Sequence, residues 1–227
     1  MTDEQRAAGP GGTGEPGEPG GLRDEPAAWP VESSEDLHRD GWVVALRADR
    51  IRRPGADDEA PFRRIVLEHP GAAVILAVDD ADRVLCLRQY RHAAGMRFVE
   101  LPAGLLDVAG EPALEVARRE LREEAAYEAE RWTHLVTTYP SPGISSEKAS
   151  IFLAEGLRAT DRGDFVLQHE EADMEMLWVP FAELLDGVLA GRITDAPVVI
   201  AVLVLHARRT RGAAPDGVAP AGPEPTS

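Results

Sequence analysis

The stretch Gly104-Leu-Leu-Asp-Val-Ala-Gly-Glu-Pro-Ala-Leu-Glu-Val-Ala-Arg-Arg-Glu-Leu-Arg-Glu-Glu-Ala-Ala126 decides how this chain reads. A loop bounded by glycines leads into a helical run over about Pro112–Ala125, with the proline in the first turn, where its missing N–H costs least. At about 100° per residue, Glu120, Glu123 and Glu124 share a sector of roughly 100°. Leu114, Leu121 and Ala125 form an apolar strip beside it. One edge of the helix therefore packs on a core, and the next edge gathers acid. The like-charge pairs Glu120/Glu124 and Glu120/Glu123 each cost about 0.2–0.5 kcal/mol in an isolated helix. Arg119, four residues before Glu123, is placed to offset them. A divalent cation turns that repulsion into coordination, and hard cations such as Mg²⁺ take oxygen ligands while keeping positions for water and phosphate.

The pattern resembles the Nudix box: Gly, five residues, Glu, seven residues, Arg-Glu, an aliphatic residue, any residue, Glu-Glu, any residue, Gly. Glu111, Arg119, Glu120, Leu121, Glu123 and Glu124 sit where that pattern places them. There are two departures. Six residues separate Gly104 from Glu111, and Ala126 stands where the final Gly is expected. Neither removes a ligand. The alanine puts the helix exit in question, because a left-handed exit costs a non-glycine residue about 1–2 kcal/mol.

Outward from the box, Gly41–Arg47 and Phe62–Glu68 read as strands of an antiparallel N-terminal sheet, separated by a Pro54-Gly55 turn. Ala72–Val78 and Arg83–Tyr90 read as a hairpin, and Phe98–Pro102 as a strand that delivers the chain into the box loop. Strands around His134–Tyr139, Ala149–Glu155 and Met174–Val179 follow, then helices over Pro180–Ala190 and Asp195–Arg209. Strands with helices on either side predict an α/β (α+β) fold. The resemblance sharpens this to a Nudix-type α/β/α sandwich with a mixed sheet. Residues 1–35, with repeated Gly-Glu-Pro text, and 212–227 lack the apolar content to offset chain entropy and are expected to be disordered tails. Residues 36–70 then form the N-terminal strands, and 71–211 the hydrolase domain.

The likeness extends through Arg88-Gln-Tyr-Arg-His92, Glu100-Leu-Pro-Ala-Gly104 and Ser141-Pro-Gly143 to the ADP-ribose pyrophosphatase branch, with Pro142 as the branch marker. It implies an enzyme that splits ADP-ribose into AMP and ribose 5-phosphate. Mg²⁺, or Mn²⁺ in its place, would be held by Glu120, Glu123, Glu124 and the Ala103 carbonyl. Arg119 would orient Glu123, and Glu111 would tie the loop to the helix. The general base must come from elsewhere. By similarity it is Glu171, with Glu170 as the alternative, in an acidic segment that also offers Asp173. Arg91 matches a phosphate-binding arginine, and a guanidinium fork suits that task. Trp42 and Phe62 fall near positions that stack adenine in relatives, and Glu147 near one that touches the terminal ribose. The resemblance also implies a homodimer formed through the N-terminal strands. Two other readings stay open: a hydrolase of a different nucleoside diphosphate derivative, such as a nucleotide sugar, and a noncatalytic ADP-ribose sensor.

Composition bounds these readings. At 227 residues the chain is long enough for one well-buried core. A net charge of −16 argues against a nucleic-acid surface, which needs a basic patch. The one cysteine, Cys86, lies in an apolar run and is expected to be a buried free thiol. No signal-like start or membrane-length apolar run is present, so the expected location is cytoplasmic.

Overall fold

The computed structural model describes residues 22–56, 58–163, 165 and 173–212. In chain order the elements are β1 (Val31–His38), β2 (Ala45–Ile51), β3 (Phe62–Glu68), β4 (Ala72–Ala77), β5 (Arg83–Arg91), β6 (Met96–Glu100), β7 (Ala103–Leu105), α1 (Ala113–Ala125), β8 (Tyr127–Thr138), β9 (Ala149–Ala159), β10 (Glu175–Pro180), α2 (Phe181–Leu189) and α3 (Ala196–Arg211).

The apolar run of β4 explains the layering. Alternate side chains of a strand point to opposite faces. Ala73, Ile75 and Ala77 accordingly pack with Val116, Leu121 and Ala125 of α1 in one core. Val74, Leu76 and the following Val78 pack with Leu184 of α2 and Val198 and Val202 of α3 in another. A strand buried on both faces loses the usual polar alternation. β4 pairs in parallel with β9, and antiparallel pairs extend the sheet to the order β7-β4-β9-β8. A second antiparallel sheet, β10-β5-β6, feeds both cores in the same way, with Leu85 on the α1 side and Val84 and Cys86 on the other. The result is the expected α/β/α sandwich with a mixed sheet. Burial pushes the Cys86 thiol up to about 12, so it is inert as expected.

The antiparallel sheet β1-β2-β3 docks through the end of β3. Leu67 N–H donates to the Ile144 carbonyl at 2.7 Å, and Ser146 N–H donates to the Leu67 carbonyl at 3.1 Å. The Ser141–Ser145 turn is thereby fixed against β3.

Three details differ from the sequence reading. First, β1 starts at Val31, inside the segment assigned to the N-terminal tail. All eight of its residues are exposed, so no apolar alternation marks it. The ladder to β2, the Ser34 hydroxyl on Asp49 and the Arg52–Glu32 pair hold it instead. Residues 1–21 and 213–227 of the expected tails lie outside the described residues. Second, β2 begins at Ala45 instead of Gly41, because the Asp40 carboxylate accepts the Trp42 N–H at 2.8 Å in an Asx turn. Third, Pro112 caps α1 from outside it, with φ −63° and ψ 140°. The helix leaves through Ala126 in the left-handed conformation, φ 57°, with its N–H on the Arg122 carbonyl at 2.9 Å. The exit geometry of the box is thus kept without its glycine. The extra loop residue is taken up in a turn where Glu111 N–H meets the Val108 carbonyl at 3.1 Å and Gly110 has φ 80°.

Candidate active site

The amphipathic pattern of α1 docks its apolar strip on β4 and turns Glu120 and Glu124 inward toward β7. They are only 9% and 6% exposed. Glu124 Oε2 accepts the Ala103 N–H at 2.9 Å. Arg119 Nη1 donates to Glu120 Oε1 at 2.7 Å and to Glu123 Oε2 at 3.1 Å, and its Nη2 lies 3.6 Å from Glu111 Oε2. That Glu111 oxygen is sealed from solvent without a hydrogen bond, and its ion pair with Arg119 joins the loop to the helix. Burial works against the charge on Arg119, but Glu120, Glu123 and Glu111 outweigh it and raise the pKa of the guanidinium. Gly104 is required by contact. A Cβ there would lie 2.1 Å from the carboxyl carbon of Glu120.

These acids open onto a cavity of about 1180 Å³. Arg91, Trp42 and Glu147, three of the four expected substrate-binding residues, line it. Arg91 forks onto buried Glu100, with Nε at 2.9 Å and Nη2 at 2.6 Å. That hydrogen bonding raises its pKa against the opposing effect of burial, and the charges of Glu124 and Asp195 add to it. Trp42 is 68% exposed, its ring unclaimed by a core. Phe62, the fourth, is not brought there. It starts β3 while the other end, at Leu67, reaches the cavity, and five residue steps of extended strand separate the two by about 17 Å. Phe62 instead meets Trp29 edge-on at 6.2 Å and carries the Arg64 guanidinium over its ring. Pro142 lies outside the lining, and Pro140 is part of it. Glu170 and Glu171 lie outside the described residues, whereas Asp173 pairs with Arg97.

The donors around Glu120 suit a hard cation, being carboxylate oxygens and a neighbouring backbone carbonyl of β7. Among the described residues, no three His, Cys, Asp or Glu side chains converge into a ready-made cation cage. Arg119 and the Ala103 N–H hold these acids apart in the positions described above. An ion there would draw part of its shell from water and phosphate, as Mg²⁺ commonly does.

Gln89, Phe165 and Asp195 are among the cavity residues to which the sequence reading gave no site role. Asp195 was legible only as a helix start. Its carboxylate caps α3 by accepting the Val198 N–H at 3.1 Å. Burial raises its pKa to about 6, with the Glu100 charge adding and the Val198 N–H and Arg91 opposing. An acid raised in the folded state favours folding in its protonated form. Its ionisation cost is therefore absent below the ordinary value of 3.8, grows between 3.8 and about 6, and is complete above that. Asn caps helices as well as Asp does. Asp195→Asn should thus raise thermal stability at pH 8 by up to about 2 kcal/mol, allowing for partial solvent access. The gain should vanish near pH 4, which calorimetric melts at the two pH values would check.

Comparison with known proteins places these features in a family. Residues 67–201 match the NUDIX domain. The chain is 46% identical over 183 residues to the ADP-ribose pyrophosphatase of Mycobacterium tuberculosis, spanning 81% of this chain and 86% of that protein. It is 32% identical over 166 residues to the methanol dehydrogenase activator of Bacillus methanolicus, spanning 73% of this chain and 86% of that one. A crystal structure described as an ADP compounds hydrolase superposes with a TM-score of 0.66 at 20% identity, over 84% of this chain and 99% of that one, a likeness of fold. With the box helix, its inward glutamates and the matched domain in agreement, the chain belongs to the Nudix hydrolase family.

Proposed function

We propose that this protein hydrolyses the diphosphate bridge of ADP-ribose, giving AMP and ribose 5-phosphate, with Mg²⁺ as its cofactor and Mn²⁺ able to replace it. The observation that carries this reading is the pair of buried glutamates, Glu120 and Glu124, facing one cavity with Arg91 and an exposed tryptophan. The names of the relatives supply the substrate.

The ion would be held by Glu120, Glu123, Glu124 and the Ala103 carbonyl, where it supplies charge neutralisation to phosphate oxygens and acidifies water. The chain's own groups do the rest. Arg119 fixes the Glu120 and Glu123 carboxylates, and the Ala103 N–H fixes Glu124. Arg91, held by Glu100, presents its guanidinium to the diphosphate. Trp42 offers a ring face to the adenine, and Glu147 accepts from a hydroxyl of the terminal ribose. Glu171 takes the proton of the attacking water as the new P–O bond forms and the bridging P–O bond breaks. The position of Phe62, far from its own cavity, favours a homodimer in which the N-terminal sheet of one subunit reaches the other.

The test is a rate comparison in Mg²⁺ among ADP-ribose, nucleotide sugars, dinucleotides and nucleoside triphosphates. The expected result is the highest kcat/KM for ADP-ribose. A preference for a triphosphate would overturn the assignment.

A further inference from the structure

Gln89 is the one buried neutral polar side chain in the cavity wall whose hydrogen-bonding capacity the described residues leave unused. It is 5% exposed and lines the cavity, yet its carboxamide makes no hydrogen bond to any described residue. Neither of its polar atoms is among the sealed, unpartnered ones, which are Glu111 Oε2 and Thr138 Oγ1, so the amide opens onto the cavity space. A primary amide carries two donors and an acceptor. These groups face the cavity and are not engaged by any described residue, so a ligand's oxygens can take them.

Its position says which part of the ligand. Gln89 lies two residues before Arg91, on the same face of β5, and opposite Phe98 of β6. Side chains two apart on one strand stand about 7 Å from each other. Glu100, Glu124 and Asp195, the acids whose charges act on Arg91, line the same space. A further carboxylate at residue 89 would repel an anionic substrate. A lysine there would pair with Glu100 and compete for Arg91's partner. A neutral donor avoids both. Resting on the reading of this cavity as the ADP-ribose site, we infer that Gln89 is a substrate-binding residue whose amide N–H groups donate to oxygens of the substrate diphosphate beside Arg91.

The experiment uses Gln89→Leu and Gln89→Met in the full chain, with three measurements on each: the melting temperature without ligand, steady-state kinetics on ADP-ribose in Mg²⁺, and calorimetric binding of intact ADP-ribose with the metal chelated. Loss of a hydrogen bond to a charged group should raise KM and the calorimetric Kd about tenfold in both variants. kcat should change little, since binding in the ground and transition states is lost alike. The melting temperature should hold, because no described residue loses a hydrogen-bond partner. Unchanged KM and Kd in folded variants would overturn the inference, as would a fall in melting temperature in both, which would mark Gln89 as structural. Wild-type protein that fails to turn over ADP-ribose would overturn the functional reading itself, and this assignment with it.

Discussion

Replacing Glu124 by Gln should lower kcat on ADP-ribose by about a thousandfold, the equivalent of several kcal/mol of charge stabilisation at the reacting phosphate. The substitution preserves volume, and a carboxamide oxygen can still accept the Ala103 N–H now held at 2.9 Å, so the helix keeps its seat. What disappears is one negative charge facing the cavity that also holds Arg91, whose guanidinium feels Glu124 directly. Steady-state kinetics across a Mg²⁺ titration, with a melting curve as control, would separate the two effects. Full activity at ordinary Mg²⁺ would remove Glu124 from the site.

A second large effect is expected at Gly104. With a Cβ at this position lying 2.1 Å from the Glu120 carboxyl carbon and 2.2 Å from its Cγ, Gly104→Ala cannot leave Glu120 where it is. The clash is with the end of a flexible side chain, so the fold can yield by swinging the glutamate aside. Stability should fall by only about 1–3 kcal/mol, the usual cost of overpacking. Activity should fall much further, by about a hundredfold, because a carboxylate moved by an ångström no longer meets Arg119 at 2.7 Å or faces its ligand. The measurement is kcat/KM beside a denaturant midpoint. A loss of activity no greater than the loss of folded protein would refute the argument.

What could be read in advance follows from where information resides in a chain. α1 was legible because a 3.6-residue period carries both its packing strip and its acids. β4 was legible as an uninterrupted apolar run, and its burial on both faces is the physical reason for that text. β1 was not, since every residue is exposed and only backbone pairing and ionic contacts define it. The resemblance puts Phe62 with Trp42, since both fall near positions that stack adenine in relatives. The direction of β3 puts them at different ends, a fact of three-dimensional register that spacing along the chain does not encode. Gln89 and Asp195 were passed over for a related reason. Their residue types are ordinary in a strand and at a helix cap, and only the convergence of β5, β6 and the start of α3 makes them neighbours of the substrate space. Ala126 shows the reverse case: a departure from the family pattern visible in sequence, which the backbone absorbs by adopting the glycine conformation regardless.

The strand β4 carries one more implication. Because its odd-numbered side chains belong to the half that bears the acids and its even-numbered ones to the half built on α2 and α3, no part of the interior can loosen alone. The two hydrophobic compartments share a single partition wall, so the sandwich should open as one cooperative unit, leaving the N-terminal sheet as the natural place for partial opening. Heat or mutation that frays the far compartment is therefore felt at the catalytic one.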